Sequence, residues 1–283
     1  MSHMLKDIAV FYDVSHEGKH ILETAAVLAE KQNARLIGIT ATNSSDIESY
    51  PSDSFARGAG IGEVISRLQS STAAHLLHAA QALKEVADRH GVTAEFRAIP
   101  WSESGVEMSL HSLYCDLLVV NHPKAPGAPF AWSSIDVLQQ TGVPLLIVPQ
   151  SWRSIQLGQR ITVAWNASRQ ARRAVADALP LLISAEAVDL LIVDPERKAE
   201  LHGEEPGADM GSYLARHGVR VNLERIDSAD KPVADVILEH AVKAKADLIV
   251  FDAYSRPKLS ELVLGGVSRT LLSSVPLPLF VSH

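Results

Sequence analysis

Apolar residues cluster in short runs along this chain, and two of these runs end in the same polar turn. Residues 8–15 (IAVFYDVS) and residues 161–168 (ITVAWNAS) each contain an apolar segment, then Asp13 or Asn166, then a serine two positions later. A serine hydroxyl at that place suits the N-cap of a helix, because it accepts a hydrogen bond from an unpaired backbone N–H group. Both segments therefore predict a strand, a turn and a helix.

The segments after the two serines have the spacing of helices that bury one face. Apolar residues recur at steps of three and four, as expected for an amphipathic helix. The apolar stripe comprises Ile21, Ala25, Leu28 and Ala29 in the first half, and Ala171, Ala174, Val175, Ala178 and Leu179 in the second. A second apolar strand is predicted after each helix, at residues 36–40 and 190–193.

Continuous Val, Ile and Leu runs in the later part of each half indicate strands buried on both faces. Residues 116–120 (DLLVV) match residues 247–251 (DLIVF), and residues 143–148 (VPLLIV) match residues 275–281 (VPLPLFV). Runs without polar alternation are typical of a parallel sheet covered by helices. Each half therefore predicts five strands alternating with four helices, in a doubly wound α/β fold with helices on both faces. Any ligand is expected at the carboxyl ends of the strands.

The repeat divides the chain into two domains, residues 1–151 and residues 152–283. The first half is longer between its matched landmarks, and the surplus falls at residues 43–80. There a polar loop precedes a long helical segment with one apolar face. The boundary is placed in the short polar stretch at residues 149–154.

Composition and charge remove several classes of function. The chain has 283 residues and a formal net charge of −7, so it has no general attraction to nucleic acid or anionic membranes. No apolar stretch reaches the roughly 18 residues that a membrane helix needs. Cys115 is the only cysteine, which excludes intramolecular disulfides and Cys-based zinc sites. We expect a cytoplasmic protein that binds neither nucleic acid nor membrane.

The end of the second half carries the pattern that bears most on chemistry. Residues 251–268 read FDAYSRPKLSELVLGGVS, with the pair Gly265 and Gly266 followed by Val267 and Ser268. Glycines allow backbone N–H groups to approach phosphate oxygens, and a following helix N-terminus favours an anion. At this point the chain resembles the universal stress protein family, whose motif is Gly, two residues, Gly, nine residues, Gly, then Gly, Ser or Thr.

The chain departs from that motif at its first two glycines. Asp252 and Ser255 occupy those positions, although the spacing is kept. A carboxylate beside a phosphate site repels the ligand unless a cation lies between them. Three outcomes stay open: a nucleotide bridged by Mg²⁺, a less charged adenine ligand, and no ligand.

The resemblance covers nearly the whole chain and implies both a fold and a site. It implies two tandem HUP-like, Rossmann-related domains, with an adenine nucleotide held between the ends of the first, second and fourth strands. By position, Ala164, Asn166 and Val193 would line the adenosine part. The phosphates would lie against Phe251, Asp252, Gly265, Gly266, Val267 and Ser268.

The same positions in the first half form a vestigial cleft. Asp13 is kept at the end of the first strand, but residues 121–130 (NHPKAPGAPF) replace the glycine loop. The three prolines of that segment remove backbone donors, so we expect no triphosphate binding there. The cleft residues are Phe11, Asp13, Asn121, Ser133 and Ser134.

Local roles compete with these ligand-binding interpretations. Asp13 and Asn166 are ordinary turn formers after a strand, and glycine pairs are common in turns. His75 and His78 lie three residues apart on a predicted helix, but no third ligand stands at an obvious spacing. No metal site and no catalytic set are therefore predicted.

Two functions remain. The leading hypothesis is a non-enzymatic stress-response module whose second domain binds ATP, ADP or AMP, with Mg²⁺ as the expected cation. The alternative is a ligand-free interaction or scaffold protein with degenerate clefts, which acts through dimerisation or protein partners. Its pairing strand would be residues 275–281, and pairing of the two halves would make the monomer a pseudo-dimer. Slow ATP hydrolysis has the least support, because no water-positioning residue and cationic clamp stand beside the glycines.

Overall fold

A computed structural model of the protein divides into two compact units, which are described separately. The first unit comprises Met4–Gln156 and the second includes Leu157–His283. The boundary between residues 151 and 152 stays a prediction. The structure describes residues 4–42, 60–69, 74–100, 111–121, 134–198, 204–253, 266–273 and 277–282.

The described part of the first unit contains five strands and four helices. The strands are β1 Asp7–Phe11, β2 Arg35–Thr42, β3 Ala94–Pro100, β4 Leu117–Asn121 and β5 Leu145–Val148. The helices are α1 His16–Gln32, α2 Ile61–Gln69, α3 Ala74–His90 and α4 Ser134–Thr141. Helices α2 and α3 lie in the region of the predicted long helix, and residues 70–73 between them are outside the described part.

The second unit alternates strands and helices throughout its described part. Its strands are β6 Arg160–Ala164, β7 Ala187–Val193, β8 Val221–Ile226, β9 Leu248–Asp252 and β10 Leu279–Ser282. Its α-helices are α5 Arg169–Ser184, α6 Ala208–Arg216, α7 Val233–Lys243 and α8 Gly266–Ser273. A short 3-10 turn, Pro195–Lys198, follows β7.

The strands of each unit form a parallel sheet with the same order. In the first unit the order is β3-β2-β1-β4-β5, and in the second it is β8-β7-β6-β9-β10. The direction of winding reverses beside the first strand of each unit, which therefore lies between the second and the fourth. Such a reversal opens a crevice at the carboxyl ends of the central strands. The prediction of an α/β fold with parallel sheets is confirmed.

The predicted apolar stripes form the cores. All nine stripe residues of α1 and α5 are at most 3% exposed, and every residue of β9 is buried. Burying an aliphatic side chain contributes about 1.5–3 kcal/mol, so these faces hold the helices on the sheets. No helix in the described part of the chain combines the length and the apolar character needed to cross a membrane.

An aspartate before the fourth strand of each unit binds the backbone that leads into the first strand. Asp116 Oδ2 accepts hydrogen bonds from the N–H groups of Lys6 and Asp7, at 2.7 and 3.0 Å. Asp247 accepts three, from the N–H groups of residues 158–160, at 2.9 to 3.1 Å. Each half thus contains its own copy of this tertiary contact, at the matching position of the repeated sequence pattern.

Candidate functional site

A tight turn links β6 to α5 at the carboxyl end of the second sheet. The Ala171 N–H donates to Ser168 Oγ at 3.0 Å, which confirms the predicted N-cap. The Ser168 N–H donates to Asn166 Oδ1, also at 3.0 Å. Between them, Ala167 has a φ of 55°, in the left-handed region. Asn166 therefore has the turn-forming role, with its amide nitrogen directed elsewhere.

The end of β9 lies beside this turn. Asp252 is the last residue of β9 and is only 6% exposed. Asn166 Nδ2 donates to Asp252 Oδ1 across 3.4 Å, a long hydrogen bond. The Ser268 hydroxyl donates to the backbone carbonyl of Asp252 at 3.2 Å. These three residues, the strand-end cluster, join the ends of β6 and β9 to the first turn of α8.

Helix α8 begins at Gly266 and presents its N-terminus at this place. A Cβ added to Gly266 would meet no other atom within 4 Å, so the space beside it is open. Val267 is partly exposed, whereas Ser268 is buried. The unpaired N–H groups and the helix dipole make this end positive. Gly265 lies outside the described residues, as does Ser255.

An aspartate that the sequence analysis missed orders the loop after β7. Asp194 follows Val193 with a φ of 50°, and its carboxylate accepts bonds from the Ser228 N–H at 2.7 Å and the Ser228 hydroxyl at 2.8 Å. Arg197 Nε lies 3.2 Å from the same carboxylate. These contacts, the Ser228 N–H first, hold the pKa of Asp194 below its usual value. The sequence does contain a signal for this contact, because Asp194 directly follows one strand and Ser228 follows the neighbouring strand.

The remaining predicted residues of the second unit lie around the strand-end cluster. Ala164 and Val193 are the last residues of β6 and β7, and both are partly exposed. Phe251 is 2% exposed, so its ring belongs to the core. Phe251 can offer a ligand only its backbone. The structure thus brings Asn166, Asp252 and Ser268 together at the carboxyl end of the sheet of the second unit.

Comparison with known proteins bears on this half of the chain. The model of the Universal stress protein family matches residues 158–283. The second half of the chain is therefore similar to a universal stress protein domain. The matched range includes the strand-end cluster and the first turn of α8. None of the curated proteins matches the chain.

Solved structures of universal stress proteins share the fold of the chain. One, from Archaeoglobus fulgidus DSM 4304, is 19% identical, covers 98% of both chains and has a TM-score of 0.67. Another, assigned to the same family and from Pseudomonas aeruginosa UCBPP-PA14, is 17% identical, covers 98% of this chain and 93% of its own, and has a TM-score of 0.64. A third match is a universal stress protein in complex with cAMP, 19% identical over 51% of this chain and 97% of its own, with a TM-score of 0.33.

The first unit repeats the turn that follows the first strand of the second unit, with an aspartate in place of the asparagine. Asp13 Oδ1 accepts from both the N–H and the hydroxyl of Ser15, and Ser15 Oγ accepts from the Gly18 N–H at 3.0 Å. Ser15 is thus the predicted N-cap of α1. A Cβ on Gly18 would lie 2.1 Å from Asp13 Oδ1 and 2.2 Å from the Asp13 carbonyl oxygen. Helix α1 therefore approaches this turn more closely than a side chain permits.

The other residues of the vestigial cleft have varied positions. Phe11 ends β1 and is 9% exposed, and Asn121 ends β4 and is partly exposed. Ser134 is the first residue of α4, and Ser133 lies outside the described residues. Beside Phe11, the buried Tyr12 hydroxyl donates to a backbone carbonyl of α3 at 2.6 Å.

Metal and thiol chemistry find little support in the described part of the chain. There, no three His, Cys, Asp or Glu side chains converge on a point where a metal ion could bind. Burial raises the pKa of the Cys115 thiol to about 12, so the thiol stays protonated at neutral pH. Cys115, which is partly exposed, is therefore a weak nucleophile at neutral pH.

Proposed function

We propose that the second unit is a universal stress protein domain that binds an adenine nucleotide, and that the protein acts as a non-catalytic stress-response module. The observation that carries this proposal is the strand-end cluster. Asn166, Asp252 and Ser268 meet beside the N-terminus of α8, at the switch point where doubly wound sheets bind their ligands.

The orientation of the nucleotide follows from charge and space. Its phosphates would face the first turn of α8, where N–H groups are unpaired and Gly266 leaves open space. The adenosine part would then lie toward Ala164 and Val193, the partly exposed ends of β6 and β7. The contacts between Asp194 and Ser228 would hold the backbone after Val193 in position for the base.

Asp252 sets the preference among nucleotides. A carboxylate and a phosphate about 4 Å apart repel by roughly 4 kcal/mol at an effective dielectric constant near 20. A divalent cation between the two groups would convert that repulsion into attraction. ATP and ADP are therefore expected to bind only with Mg²⁺, whereas AMP, with less charge, should depend on Mg²⁺ less.

The test is calorimetric and thermal-shift titration of AMP, ADP and ATP into the full chain, each with and without Mg²⁺. Gly266→Glu places a negative charge at the first residue of α8 and should abolish binding, while the helix dipole keeps that variant folded. Ser273→Glu is the matched control, because it adds the same charge at the exposed last residue of the same helix. Equal affinities for the two variants would contradict the assignment of the site.

A second variant tests the role of the carboxylate. Asp252→Asn removes the charge but keeps a hydrogen-bond acceptor for Asn166. It should strengthen ATP binding without Mg²⁺ by about tenfold or more, since only part of the repulsion needs to be recovered. An unchanged requirement for Mg²⁺ would show that Asp252 lies away from the phosphates.

A second candidate function is a ligand-free interaction protein, and the same cluster favours it. The Asn166 amide already contacts the Asp252 carboxylate, and Asp252 is only 6% exposed. The space at the end of β9 is therefore partly filled by the protein's own side chains. In that case no nucleotide shifts the melting temperature, and the protein acts through dimerisation or other partners. Sedimentation equilibrium would then report whether the protein self-associates.

A further inference from the structure

Strand β8 lies at the edge of the sheet of the second unit, and part of its backbone faces away from that sheet. The Val188 N–H donates to the Arg220 carbonyl at 2.9 Å, and the Asp194 N–H donates to the Ile226 carbonyl at 3.0 Å. Because β8 pairs with β7 in one continuous register, and backbone groups alternate in direction along a strand, the even-numbered residues of β8 bond to β7. The N–H and carbonyl groups that point outward belong to Val221, Leu223 and Arg225.

These outward groups have no partner among the residues that the structure describes. Within that part of the chain, β8 pairs with β7 alone, and no side chain bonds to the three outward N–H groups. Leu223 is 37% exposed, although its side chain is large and apolar. An open strand edge of this kind is a ready template for pairing with another strand.

The edge strand of the first unit, β3, lacks this property. The Leu36 N–H donates to the Thr93 carbonyl at 2.9 Å, so the even-numbered residues of β3 point outward. One of them is Pro100, which has no N–H group to donate. The Arg97 guanidinium also donates to the His111 carbonyl at 2.6 Å, which holds the segment before β4 close to β3. The open edge of β8 is therefore the better template.

The direction of the backbone groups limits how two copies of β8 can pair. In an antiparallel pair, two residues that lie opposite each other are either both hydrogen-bonded or both not. An outward residue of one copy must therefore lie opposite an outward residue of the other. This condition allows only those registers in which the numbers of the two opposite residues have an even sum.

One of the allowed registers matches the side chains as well. When Asn222 lies opposite Asn222 of the second copy, Arg220 lies opposite Glu224. The same register places Val221 opposite Leu223. Opposite charges and apolar side chains that face each other across two strands stabilise a sheet. Sliding the second copy along the edge separates Arg220 from Glu224, and one such register brings Glu224 opposite its own copy, where like charges repel.

We propose that two copies of this chain associate through antiparallel pairing of residues 220–224, with Arg220 of each copy against Glu224 of the other. Neither residue forms an ion pair within the described ranges. Within one copy the two residues are about 13 Å apart along the strand, so they cannot pair with each other. A second copy supplies the missing partner for both charges and for the outward backbone groups.

The proposed interface is short, and it is separate from the nucleotide site. It is smaller than the interfaces of stable complexes, so we expect a weak dimer with a dissociation constant near about 100 µM. Strands β7 and β6 lie between β8 and β9, which carries Asp252 of the strand-end cluster. The dimer therefore does not depend on whether a nucleotide binds.

Charge reversal tests the register directly. Arg220→Glu and Glu224→Arg each place like charges opposite one another at both ends of the interface, so each should weaken association by about tenfold or more. The double variant Arg220→Glu/Glu224→Arg restores opposite charges and should recover the affinity of the unmodified chain. Sedimentation equilibrium of the full chain, from about 10 µM to 1 mM, measures these constants. Circular dichroism checks that each variant is folded.

Arg216→Glu is the matched control. It makes the same charge change at an exposed residue at the end of α6, away from the edge of β8, and should leave association unchanged. A protein that stays monomeric up to about 1 mM overturns the proposal. So does a dimer that neither single variant weakens, which would use another surface. Equal losses for Arg216→Glu and Arg220→Glu, or a double variant that does not recover, overturn it as well.

Discussion

Replacing Gly18 with alanine should destabilise the first unit, because α1 presses on the turn that ends in Ser15. The new Cβ would lie 2.1 Å from Asp13 Oδ1 and 2.2 Å from the Asp13 carbonyl oxygen, and real Cβ contacts essentially never fall below 3.0 Å. The carboxylate can rotate away, but the carbonyl belongs to the backbone. To bring the contact between the new Cβ and the Asp13 carbonyl oxygen back to 3.0 Å, α1 and the turn must separate by about 0.8 Å.

The expected magnitude is the difference between two opposing effects. Inserting a methyl group into a closely packed place typically costs about 1–3 kcal/mol. Alanine recovers up to about 1 kcal/mol, since it is a better helix former than glycine. We expect a net loss of about 1–2 kcal/mol in the free energy of unfolding.

Urea unfolding of the full chain, followed by circular dichroism, measures this change. Gly211→Ala is the matched control: Gly211 lies within α6, and a Cβ there would meet no atom within 4 Å. Only the helix propensity changes at that position, so the free energy of unfolding of the control should rise by about 0.5–1 kcal/mol. If Gly18→Ala also gained stability, the close approach of α1 to the turn would be refuted.

Three further predictions each rest on the surroundings of one side chain. Thr162 in β6 is fully buried, and its hydroxyl has no partner in the described part of the chain. Thr162→Val should therefore raise the free energy of unfolding, measured in urea, by about 1 kcal/mol. A lower free energy of unfolding would mean that the hydroxyl is hydrogen-bonded. The ring nitrogens of His90 face Glu30 at 2.7 Å and Glu23 at 2.8 Å, and the bond to Glu23 is the main cause that raises the His90 pKa. His90→Gln should therefore lower the melting temperature most below about pH 6.5, and the difference should vanish as the pH rises through the folded-state pKa; a constant difference would contradict this. Asp247→Ala leaves three N–H groups without their acceptor, so the free energy of unfolding in urea should fall by about 2–3 kcal/mol. A decrease of less than roughly 0.5 kcal/mol, as is usual for surface substitutions, would show that these hydrogen bonds contribute little.

Much of the fold could be predicted because its signals are local. Ser15 and Ser168 cap helices that begin one residue later, and the apolar stripes behind them depend only on helical periodicity. Continuous apolar runs then indicate a parallel sheet without any knowledge of which strands pair. The close approach of Gly18 to Asp13 was missed, since it depends on how far α1 tilts toward the turn.

The candidate site could be predicted only as a set of strand ends. The sequence assigns Asn166 and Asp252 to two such ends, but a spacing cannot reveal that their side chains touch each other. The bond between Asp194 and Ser228 joins residues 34 positions apart, across neighbouring strands. Contacts of this kind depend on side-chain direction, and no periodicity in the sequence encodes it.

The parallel pairing within the first unit has a consequence for synthesis of the protein. Strand β1 pairs with β2 on one side and with β4 on the other, where Ile8 lies opposite Leu117. While the chain grows on a ribosome, one edge of β1 therefore stays open until the residues of β4 have emerged. An open apolar strand edge can pair with another chain, so the nascent first half is exposed to aggregation and to chaperone binding during this interval.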